Sequence, residues 1–202
     1  MKIDLLIVDR RGGQGASDQT CFGGAPSVPA GFAWPACKVC GGNMQFLGQI
    51  RRHRPERLLS LFMCQNRPGV CLEWEANRGA NKVICMGVDG LTTASLPGKG
   101  DVSRPTRYGA RVEAAEAENY EAERATWEKA GKRLRDVLGQ IDGAPVWLDS
   151  DETPACDHCA RPMRFVAQLE AGPDRDTEMN FGGRCGYAFE CDCHGGVGKL
   201  LW

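Results

Sequence analysis

The sequence predicts a β-rich α+β fold: two duplicated antiparallel β units, each with a Cys-x-x-Cys zinc knuckle, joined by a loop and one long helix. Three observations carry this expectation. The stretch Cys37-Lys-Val-Cys40-Gly-Gly-Asn-Met44-Gln-Phe46-Leu-Gly-Gln49 returns as Cys156-Asp-His-Cys159-Ala-Arg-Pro-Met163-Arg-Phe165-Val-Ala-Gln168. The shift is constant (156 − 37 = 119 and 168 − 49 = 119), and the match runs back through Pro35/Pro154 to Gly24-Ala-Pro26 and Gly143-Ala-Pro145. Self-similarity at a fixed period marks a repeated structural unit. Each knuckle also feeds a short alternating apolar run, the period of a half-buried strand. Finally, residues 111–141 are rich in Ala, Glu, Arg and Lys and contain no proline, a helix-forming composition.

In chain order, Leu5 to Val8 reads as a buried strand. Arg11-Gly-Gly-Gln-Gly15 reads as a loop and not a phosphate cradle, because no Gly-Lys-Ser/Thr follows it. Gly23 to Pro35 is turn-rich extended chain. Met44 to Ile50 is a strand, and Arg51 to Arg57 a polar bend. Leu58 to Met63 returns as the second strand of a hairpin and delivers Cys64. Cys71 to Glu75 and Lys82 to Val88 read as further strands. Leu91 to Gly109 is a loop of Thr, Ser, Gly and Pro. Arg111 to Ile141 is the helix, with Trp127, Leu134, Val137, Leu138 and Ile141 on one face. In the second copy, Met163 to Leu169 and Gly186 to Glu190 are strands, the latter ending in Cys191. The first repeat is therefore placed at residues 1–90, the linker loop and helix at 91–141, and the second repeat at 142–202, with the repeats packed as one globule.

Of 202 residues, 11 are cysteine, and the net charge is −1. Near-neutral charge gives no bulk attraction to nucleic acid or membrane. The charge is uneven: residues 1–110 hold 14 Lys/Arg and 8 Asp/Glu (+6), and residues 111–202 hold 11 and 18 (−7). An odd cysteine count in a chain this long does not suggest a disulfide framework. The apolar run at the N-terminus is short and interrupted by Asp4, and no run approaches a membrane span. These features predict a cytoplasmic protein.

Structural zinc takes four ligands, commonly as two close pairs. The first copy offers Cys37 and Cys40, then Cys64 and Cys71. The second offers Cys156 and Cys159, then Cys191 and Cys193, with His194 as an alternative to Cys193. Two structural Zn2+ ions are thus expected, with no catalytic residues. Cys21, Cys85 and Cys185 are left over and read as buried apolar residues. Two other functions compete. The Cys-x-x-Cys pairs could serve a thiol-redox enzyme, but that needs a helix to start at the thiolate, and strands follow both knuckles. Arg51, Arg52, His53, Arg54 and Arg57 could make a zinc-ribbon nucleic-acid binder, but Glu56 interrupts them and the matching bend in the second copy is acidic. Asp149, Asp151 and Glu152 read as solvated loop carboxylates. Gln49 and Gln168 either bond across the junction between copies or sit at strand edges.

The second copy, with Gly143-Ala-Pro-Val-Trp147, Pro154-Ala-Cys156-Asp-His-Cys159 and Met163-Arg-Phe-Val-Ala-Gln168, resembles the bacterial YwqG-like domain family of unknown function. The first copy, with Gly23-Gly-Ala-Pro26, Trp34-Pro-Ala-Cys37, Leu61-Phe-Met-Cys64 and Cys71, is similar to the programmed cell death protein 2 family of eukaryotes. This resemblance implies two related β-rich halves and, from the eukaryotic relatives, a dedicated chaperone that shields a newly made small-subunit ribosomal protein; the acidic second copy suits a basic protein client. Only the cysteines transfer from it. Two departures stand out: Asp142 replaces the first glycine of the second turn, and Cys191-Asp-Cys193 is more tightly spaced than the relatives' closing pair. Residues 91–141 carry none of these motifs.

Overall fold

The computed structural model describes residues 1–12, 18–148, 150–193 and 197–202. Twelve strands are formed by the described residues: β1 (Lys2–Asp9), β2 (Cys21–Phe22), β3 (Ser27–Val28), β4 (Gln45–His53), β5 (Glu56–Met63), β6 (Asn81–Met86), β7 (Thr92–Thr93), β8 (Tyr108–Glu116), β9 (Val137–Ile141), β10 (Arg164–Leu169), β11 (Gly186–Cys191) and β12 (Val197–Leu201). Ten of them close into one antiparallel barrel in the order β1-β8-β2-β4-β5-β6-β12-β11-β10-β9, and β3 pairs with β7 alone. The expected pair of β units joined by a long helix is therefore corrected: the fold is β-rich, but it is one closed barrel with a short helix.

Strands β2, β4, β5 and β6 run along one side of the barrel, and β9, β10, β11 and β12 along the other. The sides meet where β6 pairs with β12, at Val197↔Ile84 and Gly198↔Val83. Across the barrel β1 and β8 pair along their whole length, from Lys2↔Glu116 to Asp9↔Gly109. Strand β1 pairs with β9, while β8 pairs with β2. Each long opening strand thus lies beside the following strand of the other half. Both hairpins carry a register shift at the same repeat position, between Phe46 and Gly48 and between Phe165 and Ala167. Such bulges bend and twist a strand, which barrel closure needs.

The lumen is filled by Leu6, Leu47, Ile50, Leu59, Leu61, Val83, Val166, Leu169, Ala188 and Leu200, with Phe22 and Tyr108 stacked. One mouth is closed by charge. Glu190 is wholly buried and meets Arg52 at 3.5 Å, Arg57 at 3.4 Å and Arg164 at 2.6 Å. Asp142 pairs with Arg52 at 2.9 Å, and Asp192 with Arg57 at 3.5 Å. Three guanidinium groups thus face three carboxylates, the condition for burying charge at tolerable cost.

The helix expected from Arg111 to Ile141 is overturned. Tyr108–Glu116 is strand β8, Val137–Ile141 is strand β9, and only α1 (Tyr120–Lys129) is helical, followed by a 3-10 turn at Leu134–Asp136. Asn119 caps α1, its side chain accepting from the Ala122 N–H at 3.0 Å, and Gly131 follows its end at φ 74°. Tyr120 and Trp127 pack on Ile3, Leu5, Ile7 and Val137 outside the barrel. The Ala- and Glu-rich residues before α1 pair instead with β1, whose backbone N–H and C=O groups need a partner on each edge. Two smaller expectations also change. Cys71 to Glu75 forms turns, and the bend after Ile50 is shorter because β4 continues to His53.

Candidate metal centres

Each knuckle is built by the same hydrogen bonds. In the first copy the Cys37 N–H donates to Gly42 O (2.9 Å), Gly41 N–H to Cys37 O (2.8 Å) and Met44 N–H to Pro35 O (2.9 Å). In the second, Cys156 N–H donates to Arg161 O, Ala160 N–H to Cys156 O and Met163 N–H to Pro154 O, each at 2.9 Å. Gly41 sits at φ 72° and its counterpart Ala160 at φ 56°. The left-handed turn points both sulfurs of a Cys-x-x-Cys pair to one side. The Asn66 side chain packs close over the first knuckle, its amide nitrogen 2.6 Å from where a Cβ on Gly42 would stand.

The hairpins return the second pairs. Strand β5 ends at Met63, so Cys64 follows directly, and the turn after it brings in Cys71. Strand β11 ends in Cys191, with Cys193 two residues on. The sulfurs of Cys37, Cys40, Cys64 and Cys71 lie within 4.8 Å of one another, and so do those of Cys156, Cys159, Cys191 and Cys193. Separations of 3.7 Å (Cys40–Cys64), 3.4 Å (Cys156–Cys193) and 3.6 Å (Cys159–Cys191) are far beyond a disulfide. They match the roughly 3.8 Å edge of a tetrahedron with metal–sulfur bonds of about 2.3 Å. Both groups therefore have the geometry of a metal site. His194 lies outside the described residues, as do Asp149 and most of the Arg11 to Gly15 loop.

The first centre is sealed by Met44, Phe46, Phe62, Phe32 and Trp34. Trp34 Nε1 donates to Met44 O at 2.8 Å, fixing the indole across the knuckle. The second is backed by Phe165, Tyr187, Phe189 and Trp147. Ala76, which follows Cys71, packs on this second cluster. Lys199, almost fully buried, donates to Ala155 O at 2.8 Å and to Asp157 at 2.7 Å, holding the second knuckle against the barrel.

The thiols do not titrate alike. The Gly42 N–H holds Cys40 below its usual value, as the N–H groups of Cys159 and His158 do for Cys156. The Arg161 side chain, 3.5 Å from the sulfur, and then its N–H draw Cys159 down to about 6. Burial pushes Cys37 up, and burial followed by the hydrogen bond to Cys64 pushes Cys71 up. Hydrogen bonds to the neighbouring sulfurs of Cys191 and Cys156 raise Cys193 to about 12. Cys40, Cys156 and Cys159 are thus biased toward thiolate, and Cys37, Cys71 and Cys193 toward thiol. Four negative sulfurs this close repel one another, and a bound dication removes that penalty.

The remaining candidates fall elsewhere. Cys21, Cys85 and Cys185 are buried and belong to neither tetrad, although Cys185 packs in the cluster behind the second; burial raises Cys85 and Cys185 to about 12. Asp151 caps its own turn through Thr153. Three arginines of the basic bend face inward or pair locally, Arg51 with Glu56 at 2.6 Å and Asp18 at 3.6 Å, and Arg52 and Arg57 in the mouth cluster, while Arg54 is exposed at the hairpin tip. Gln49 and Gln168 neither cross the junction nor sit idle at an edge. Each is buried, and its Oε1 accepts from the backbone N–H twenty-two residues upstream, Ser27 at 3.0 Å and Val146 at 2.9 Å. They pin the Gly-Ala-Pro turns to the barrel. The repeat made these glutamines visible, but nothing in the spacing named a backbone amide as their partner.

No helix among the described residues is long and apolar enough to cross a membrane. The chain matches no family model and no curated protein.

Proposed function

We propose that this chain is a non-catalytic, zinc-stabilised protein-binding module of the cytoplasm, akin to the YwqG-like and programmed cell death protein 2 families. The observation that carries this reading is the gathering of eight cysteines into two tetrads, each offering four sulfurs to one ion. Zinc suits an all-thiolate tetrahedron. Four protein ligands leave no position for a substrate or an activated water, so such an ion braces structure and does no chemistry. The ligands are Cys37, Cys40, Cys64 and Cys71 in one centre and Cys156, Cys159, Cys191 and Cys193 in the other.

The client is a basic protein segment. Strand β8 and the start of α1 present Glu113, Glu116, Glu118, Glu121 and Glu123 within eleven residues. Glu113 and Glu121 already pair with Arg111, Lys132 and Arg124, and Glu116 and Glu118 are exposed. Capture of interacting proteins from the chain's own cells tests this, with Glu116→Lys/Glu118→Lys as the comparison. The expected result is a basic protein held by the wild type and released by the variant. Capture unaffected by charge reversal, or turnover of a small molecule in place of capture, would overturn it.

A further inference from the structure

We propose that a cleft beside the 171–183 segment binds a small organic ligand through an oxyanion group, phosphoryl or carboxylate, held by Arg104 and Arg175. The cleft has a volume of about 550 Å³, a size that suits an organic ligand better than a lone inorganic ion. Its lining brings together side chains from three separate parts of the chain: Arg104 ahead of β8, Arg135 in the 3-10 turn before β9, and Arg175 and Glu178 after β10.

Arg135 is neutralised by Glu178 at 2.8 Å. Arg104 and Arg175 have no ion-pair partner among the described residues, and Arg104 Nε is buried without an acceptor. In the mouth cluster, by contrast, Arg52, Arg57 and Arg164 all meet carboxylates. Two unneutralised guanidinium groups facing one concavity create a positive field that an oxyanion quenches, and a guanidinium fork offers paired donors to such a group. The Arg104 backbone is held in place, since its carbonyl accepts from the Gly24 N–H at 2.7 Å.

The rest of the lining suits an organic body on that anion. Met179 and Phe181 offer apolar surface, while Asn180 donates to Gln65 at 3.2 Å and so keeps its own carbonyl oxygen as an acceptor. A second cavity of about 250 Å³ lies beside the first, with Arg135, Ala171 and Gly183 lining both. The lining of this cleft shares no residue with the metal centres or with the Glu113 to Glu123 surface.

Calorimetric titration of the zinc-loaded chain with phenyl phosphate and with succinate tests the proposal, since both chelate metal weakly. Saturable one-site binding of either probe is expected, and the tighter probe tells phosphoryl from carboxylate. Arg104→Gln and Arg175→Gln should each weaken it about tenfold or more, while Arg54→Gln, at the exposed β4–β5 hairpin tip, should bind as the wild type does. Arg175 is exposed, so its variant reports even if Arg104→Gln fails to fold. Heats no larger than those of sodium chloride at matched ionic strength, or equal affinity in Arg175→Gln and wild type, would overturn it.

Discussion

Gln49 and Gln168 show how a single side chain can fix a turn that its neighbours only permit. The Gly-Ala-Pro turns supply the left-handed bend, but the buried amide tethers them to β4 and β10. Truncation leaves a buried N–H without an acceptor, worth about 1–3 kcal/mol. Gln49→Ala and Gln168→Ala are each predicted to lower stability by roughly 2 kcal/mol, read from the urea midpoint at unchanged slope. Ala160 gives the converse case. It occupies the left-handed position that Gly41 fills in the other knuckle, at a conformational cost of about 1 kcal/mol. Ala160→Gly should therefore stabilise the chain by about 0.5–1 kcal/mol, whereas a loss of stability would mean that the Ala160 methyl packs. The knuckles were legible in the sequence because both bonding partners lie within a few residues. The glutamines' partners lie twenty-two residues away, so their role was not.

At the scale of elements, the strands next to the cysteines could be read from alternation, and β8 and β9 could not. Arg111-Val-Glu-Ala-Ala-Glu116 has a helix-forming composition, yet it pairs residue for residue with β1. Propensity amounts to a few tenths of a kcal/mol per residue, and an unpaired strand edge in a barrel costs more. Local composition therefore loses to a demand that arises only when β1 is in place. Asn119, which caps α1, marks the true start of the helix. Far-UV circular dichroism should accordingly show a β-type spectrum with a helical contribution on the scale of the ten residues of α1. A contribution on the scale of thirty residues would restore a helix across 111–141.

For the whole molecule, two kinds of closure hold the barrel. Inside one mouth, Glu190 joins β11 to arginines of β4, β5 and β10. Glu190→Ala would leave three guanidinium groups facing one another beside two partly exposed carboxylates. It is predicted to cost about 3–5 kcal/mol, measured by chemical unfolding. Outside, a metal in each tetrad would tie a knuckle to the chain that returns beside it, and Ala76 and Lys199 connect the first half to the second centre. Metal affinity in such sites is folding free energy, about 10 kcal/mol or more in small zinc peptides.

Zinc K-edge X-ray absorption on the purified, reduced chain tests the central claim most directly, because it counts and identifies the atoms around the metal. The account predicts two zinc ions per chain and a single shell of four sulfurs at about 2.3 Å. Less than one ion per chain with all thiols reduced, or a shell of oxygen or nitrogen at about 2.0–2.1 Å, would contradict it.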